Sequence, residues 1–92
     1  MILHTLNQGP GNPALLENCL TAMTATDTLL LIEDGIYWSL PAYADTLARV
    51  PGRVQALESD LTARGIKTAL TTVDDTGFVE LTINHDKVVS WF

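Results

Sequence analysis

The chain has 92 residues, of which five are basic, eleven are acidic and one is cysteine, and its formal charge is −6. Hydrophobic residues make up 47% and charged residues 17% of it, a composition that excludes a disordered segment and fits one folded domain over residues 1–92. The acidic balance argues against direct binding to nucleic acid, and a single thiol excludes both an intrachain disulfide and a zinc site built from cysteines.

The first half of the chain alternates between strand and helix patterns. A short apolar run over residues 1–6 predicts a strand, and the Gly, Pro and Asn residues that follow predict a loop. Asn12 as N-cap and Pro13 as first residue then begin a helix. Residues 28–32 form a continuous apolar run, which is typical of a strand buried on both faces. The helix carries an apolar stripe made of Leu15, Leu16, Cys19, Leu20 and Met23.

The second half continues the alternation. An aromatic segment follows the Asp34-Gly35 break, and a helix is predicted over residues 42–50. Residues 53–57 predict a strand, residues 58–64 a helix with Gly65 as its C-terminal cap, and residues 66–73 an extended stretch. Residues 75–85 fit a helix better than a strand, although their apolar residues also alternate, and residues 88–91 predict a last strand. This order of elements predicts a small three-layer α/β domain, with a mainly parallel sheet of about five strands and helices on both faces.

Familiar catalytic and cofactor signatures are missing from the sequence. The segment Gly9-Pro10-Gly11 lacks the residues that complete a phosphate-binding loop, so it predicts a turn. His4 and His85 have no partner at metal-ligand spacing, and the paired acids of the loops are typical of solvated turns and caps. The sequence therefore predicts neither a metal site nor a cofactor.

Cys19 is the one candidate for covalent chemistry. A thiolate can accept sulfur when a helix N-terminus or a neighbouring cation lowers its pKa. Cys19 instead lies about two turns into its helix, inside the apolar stripe and close to Glu17. Packing in the core is the favoured interpretation, and a nucleophile for persulfide or disulfide exchange is the alternative.

Aromatic residues are the candidates for contact with another protein. Trp and Tyr concentrate at the centres of interfaces, although a small domain can also use them to complete its own core. The predicted interface residues are Tyr37, Trp38, Tyr43 and Trp91.

Four collinear stretches resemble the DsrH/TusB family. They are residues 2–7 (Ile-Leu-His-Thr-Leu-Asn), residues 29–37, residues 60–65, and the tail formed by residues 77–82 with Ser90-Trp91-Phe92. Together they extend over essentially the whole chain. The resemblance implies the parallel α/β fold of DsrE/DsrH-like proteins, with the tail folded as a helix and then a strand.

The resemblance also implies a function. Members are small subunits of heterohexameric sulfur-relay complexes, together with DsrE/TusD-like and DsrF/TusC-like subunits, and a DsrC/TusE-like protein exchanges persulfide sulfur with the complex. The Tus relay leads to 2-thiolation of the tRNA wobble uridine, and the Dsr relay serves oxidation of stored sulfur. The principal acceptor cysteine belongs to the DsrE/TusD-like subunit. Cys19 matches a position where DsrH-type members carry a cysteine, so the resemblance makes it a candidate secondary sulfur acceptor.

These expectations describe an accessory subunit rather than an enzyme that acts alone. The sequence shows no secretory signal and no apolar run long enough to span a membrane, which predicts a soluble cytoplasmic protein. Because a fold does not determine a function, a stand-alone α/β homo-oligomer without a role in sulfur transfer is the alternative.

Overall fold

Five parallel strands form one sheet in the computed structural model, which describes residues 1–92. The sheet order is β4-β3-β2-β1-β5. Two 3-10 helices, Glu33–Ser39 and Pro41–Tyr43, connect the second strand to the second helix. The strands are β1 (Ile2–Leu6), β2 (Thr28–Leu31), β3 (Arg53–Leu57), β4 (Thr71–Val73) and β5 (Lys87–Trp91), and the α-helices are α1 (Pro13–Ala22), α2 (Ala44–Leu47), α3 (Glu58–Ala63) and α4 (Asp75–Asn84).

The two faces of the sheet are covered by different helices. Strands β1 to β4 follow one another in a single direction, whereas β5 returns to the far side of β1. Because crossovers between parallel strands are right-handed, this reversal of direction places α4 on the face opposite to α1, α2 and α3. The predicted three-layer α/β architecture with a parallel sheet is confirmed.

The main core lies between the sheet and the first three helices. Leu29 and Leu31 of β2 pack there with Leu16 of α1 and Leu61 of α3. Under α4, Leu3 and Leu30 are fully buried, but no residue of α4 itself is. The layer formed by α4 therefore contributes much less buried surface to the core than the layer of the first three helices.

The segments between β2 and β4 differ from the predicted elements. The aromatic segment forms a 3-10 helix. The helix predicted over residues 42–50 is α-helical only over Ala44–Leu47. Its last hydrogen bonds, Arg49 N–H to Thr46 O and Val50 N–H to Leu47 O, join residues three apart, which is the 3-10 and not the α pattern. The stretch predicted over residues 66–73 joins the sheet only at Thr71–Val73. Before it, the Leu70 N–H donates to Thr68 Oγ1 at 3.1 Å, a local bond that competes with strand pairing.

The predicted helix caps have mixed outcomes. Gly65 ends α3 with φ +64°, and Asp74 accepts a hydrogen bond from Gly77 N–H at 2.7 Å at the start of α4. Asn12 does precede α1, but its side chain accepts no helix amide, so the predicted capping bond is wrong. The Asn12 amide instead donates to Gln8 Oε1 at 3.0 Å, within the preceding loop.

Candidate functional site

Cys19 lies on the buried face of α1 and has no accessible surface. Burial and, to a smaller extent, the negative charge of Asp27 together raise the pKa of its thiol to about 12. Because a sulfur acceptor must be both accessible and ionised, this geometry favours the packing role of Cys19.

A buried polar network lies on the same side of the sheet as α1. His4 Nε2 and Asp27 Oδ2 are 3.0 Å apart, and Trp91 Nε1 donates to His4 Nδ1 at 3.0 Å. Since Nδ1 is the acceptor, the neutral imidazole carries its proton on Nε2 and donates it to Asp27. An Asp–His pair can orient a general base, but here Trp91 occupies the nitrogen that would accept a substrate's proton. The network is therefore built to hold β1, β2 and β5 together.

Asp27 is the ionised centre of this network. Burial alone would raise the pKa of its carboxyl, but hydrogen bonds from the Thr24 N–H, from His4 and from the Ile2 N–H together outweigh burial and hold that pKa well below its ordinary value. The apolar run of residues 28–32 predicts a strand but gives no role to Asp27, which immediately precedes it. The available signal was an acid immediately before a buried apolar run, a place where an unpaired charge is costly.

The four predicted interface aromatics have different surroundings. Trp38 is only 4% exposed, donates from Nε1 to Gln8 O at 3.2 Å, and packs edge-on against Tyr43. The ring of Trp38 therefore completes the core of the chain, which is the alternative to partner contact given above for these aromatics. Tyr43 and Trp91 are half-buried, and Tyr37, at 37% exposure, is the one aromatic of the four on the surface.

Exposed apolar side chains are concentrated elsewhere, on α4 and β5. Val79 and Ile83, one turn apart on α4, are 58% and 74% exposed, and Val88 of β5 is also exposed. Val88 pairs with Leu3 and Leu3 pairs with Thr28, so the three side chains point to the same face of the sheet. This is the α4 face, because the Thr28 hydroxyl is hydrogen-bonded to His85 at the end of α4. Sequence reasoning missed this α4–β5 apolar surface, defined by Val79, Ile83 and Val88. The signal was the ambiguous apolar pattern of the tail.

An apolar groove of about 680 Å³ lies on the other face, beside α2. The residues that line it include Leu40, Leu47, Val54 and Leu70. Lys67 is the one charged residue that lines it. An apolar lining with a few polar groups, one of them charged, is typical of a site that binds another molecule.

The carboxyl edge of the sheet, where parallel α/β proteins usually bind ligands, is acidic. Glu33 and Asp34 follow β2, and Asp74 and Asp75 follow β4. Arg64 donates to Asp34 Oδ1 at 3.0 Å and so neutralises part of this charge. The edge is electrostatically unsuited to phosphate. No three acidic, histidine or cysteine side chains are arranged to hold a metal ion, and none of the helices combines the length and apolarity needed to cross a membrane.

The fold and its interior define a small parallel α/β domain whose only thiol is part of the core. The family described as DsrH like protein matches residues 10–88. The chain belongs to this DsrH family, as the four collinear stretches indicated.

Curated relatives match over almost the whole chain. Protein TusB of Enterobacter sp. (strain 638) is 36% identical, and Protein TusB of Shigella sonnei (strain Ss046) is 34% identical. Protein TusB of Escherichia coli O81 (strain ED1a) is 33% identical. Each comparison covers 98% of this chain and 100% of the relative.

A solved structure supports the fold. The solution NMR structure of protein Tm0979 from Thermotoga maritima superimposes with a TM-score of 0.73 and covers 94% of this chain and 95% of the other. Its sequence identity of 22% limits the similarity to the fold.

Proposed function

We propose that this chain is a subunit of a cytoplasmic sulfur-relay complex that handles protein-bound persulfide sulfur for 2-thiolation of the tRNA wobble uridine. The observation that carries the proposal is the whole-length similarity to relatives named Protein TusB. Its partners are DsrE/TusD-like and DsrF/TusC-like subunits in a heterohexamer, with a DsrC/TusE-like protein as the sulfur acceptor. The acidic chain contributes no tRNA-binding surface of its own.

Within this relay, the chain acts as a scaffold and not as a sulfur carrier. The thiol of Cys19 is buried, and at neutral pH it is protonated, so it is a poor nucleophile. The sulfur passes instead through the cysteine of the DsrE/TusD-like subunit, and this chain contributes contact surface, including Tyr37 and the α4–β5 apolar surface.

Mass spectrometry of the assembled complex tests the scaffold role. After incubation with a persulfide donor, we expect an adduct of one sulfur atom, about 32 Da, on the DsrE/TusD-like subunit and none on Cys19. The matched variants Cys19→Ser and Cys19→Ala distinguish lost chemistry from lost packing, and both should leave sulfur transfer intact once the complex has formed. A persulfide on Cys19, or transfer abolished by both variants in a complex that still assembles, would contradict the scaffold role.

A cell-level experiment tests the relay itself. Deletion of the gene should remove 2-thiouridine from the wobble position, measured by mass spectrometry of digested tRNA, and expression of wild-type protein or of Cys19→Ala should restore it. Unchanged 2-thiouridine in the deletion strain would sink the proposal.

A DsrH-type subunit in oxidation of stored intracellular sulfur is the second candidate. It is favoured by the presence of Cys19 at the position where DsrH-type members carry a cysteine. If the deletion strain fails to oxidise stored sulfur while its tRNA thiolation persists, the result supports this second function. A stand-alone homo-oligomer would leave both processes unaffected.

A further inference from the structure

The apolar groove beside α2 exists because residues 66–70 lie outside the sheet and the chain joins it only at β4. Strand β3 pairs with β4 only from Gln55 onward, so Val54 has no strand neighbour on that side and contributes to the floor of the groove. Leu47 and Ala48 form the wall on the side of α2, and the segment that contains Lys67 and Leu70 forms the opposite wall. A short edge strand thus leaves apolar core surface open to solvent.

The wall opposite α2 carries free backbone hydrogen-bonding groups. The N–H and C=O groups of Lys67, Thr68 and Ala69 have no hydrogen-bond partner in the protein, and the segment leads directly into β4 at the edge of the sheet. A backbone of this kind pairs with an extended chain lying beside it, and the neighbouring groove then takes the side chains that alternate toward it.

Charge identifies the kind of segment that fits. Lys67 makes no ion pair, and it is the only charged residue that lines the groove. The groove therefore suits an apolar segment that carries a carboxylate. A second copy of this chain fits poorly, because its other edge strand, β5, contains no acidic residue. The acid just before that strand, Asp86, is already paired with the N-terminal amine at 2.9 Å.

We infer that the groove binds an extended, apolar segment of a partner subunit, with an Asp or Glu of that segment paired to Lys67 and its backbone paired to residues 67–69. This inference rests on the proposed function, because the partner is one of the other two subunits of the relay complex. It assigns a docking surface that is separate from both Tyr37 and the α4–β5 apolar surface.

The test compares the isolated chain with the complex formed by co-expression of the three subunits. Hydrogen exchange should slow at residues 66–73 on assembly. Ala48→Trp, which fills the groove from an exposed position, should weaken assembly about tenfold or more, and Lys67→Glu should weaken it several-fold. The matched controls are Ala63→Trp, exposed on α3 and outside the groove, and Lys67→Arg, which keeps the positive charge in the groove. Circular dichroism and the thermal midpoint verify that each variant is folded.

The outcomes distinguish a failure of the groove inference from a failure of the proposed function. If the complex forms while residues 66–73 exchange as fast as in the isolated chain, and Ala48→Trp assembles normally, the groove inference is wrong and the relay function stands. If the isolated chain self-associates and Ala48→Trp abolishes that association, the occupant is a second copy and the inference is likewise overturned. If the wild-type chain does not assemble with either subunit, the proposed function itself fails.

Discussion

At the scale of single residues, Asp27 has the greatest structural consequence. Its carboxylate accepts bonds from Ile2 N–H and Thr24 N–H and faces His4, whose other nitrogen accepts from Trp91. A buried charge is tolerated only where such partners satisfy it. The network therefore fixes how the start of β1, the loop before β2 and the end of β5 meet.

Asp27 should make the protein sensitive to acid. Its pKa is lower in the folded chain than the value of about 3.9 in an unfolded one, so its stabilising contribution is complete above about pH 4 and is lost as the pH falls toward the folded value. We expect Asp27→Asn to lower the free energy of unfolding by about 3 kcal/mol at pH 7 and by less at pH 3, measured by denaturant titration.

The exposed Asp45 on α2 provides the control for this experiment. Asp45→Asn should change the free energy of unfolding by less than about 0.5 kcal/mol at either pH. Equal losses for Asp27→Asn at pH 3 and pH 7 would contradict the assignment of an ionised Asp27.

At the scale of elements, the 3-10 helix after β2 is held against the end of β1. Ile32 N–H donates to Leu6 O at 3.0 Å, and Gly35 N–H donates to Ile32 O at 2.8 Å. A Cβ atom on Gly35 would overlap the carbonyl group of Leu6, so only glycine allows this approach. The sequence marked Asp34-Gly35 as a break, but the backbone contact that requires the glycine is tertiary.

Gly35→Ala tests the importance of this contact. The variant should lower the free energy of unfolding by about 2 kcal/mol or more, because β1 and the 3-10 helix must separate to accommodate the methyl group. Gly11→Ala is the matched control, since a Cβ there meets no atom within 4 Å and should have little effect. Thermal unfolding of both variants provides the measurement. Equal midpoints would show that the contact between residue 35 and the Leu6 carbonyl does not require glycine.

At the scale of the whole molecule, the two layers of helices are unequal. The layer of α1, α2 and α3 buries a continuous core, whereas α4 buries no residue completely and leaves Val79 and Ile83 in solvent. In a chain of 92 residues, core burial leaves a small margin of stability. A partner that covers these residues would increase that margin.

The α4–β5 apolar surface should matter for assembly and not for the fold. Ile83→Ser should change the free energy of unfolding of the isolated chain by less than about 0.5 kcal/mol, but should weaken binding to the partner subunits, measured by native mass spectrometry. Leu81→Ser, at a half-buried position of the same helix, should instead destabilise the isolated chain. Normal assembly of Ile83→Ser would show that this surface does not contact the partner subunits.

The sequence by itself determined the order of the elements, the parallel α/β class and the place of Cys19 on a buried stripe. These features follow from the spacing of apolar residues and from turn residues, which act over a few positions. Only the tertiary structure decided that Trp38 is in the core, that Asp27 pairs with His4, 23 residues away, and that residues 66–70 leave the sheet beside an apolar groove. Those outcomes depend on which distant segments meet, and local sequence patterns do not encode such contacts.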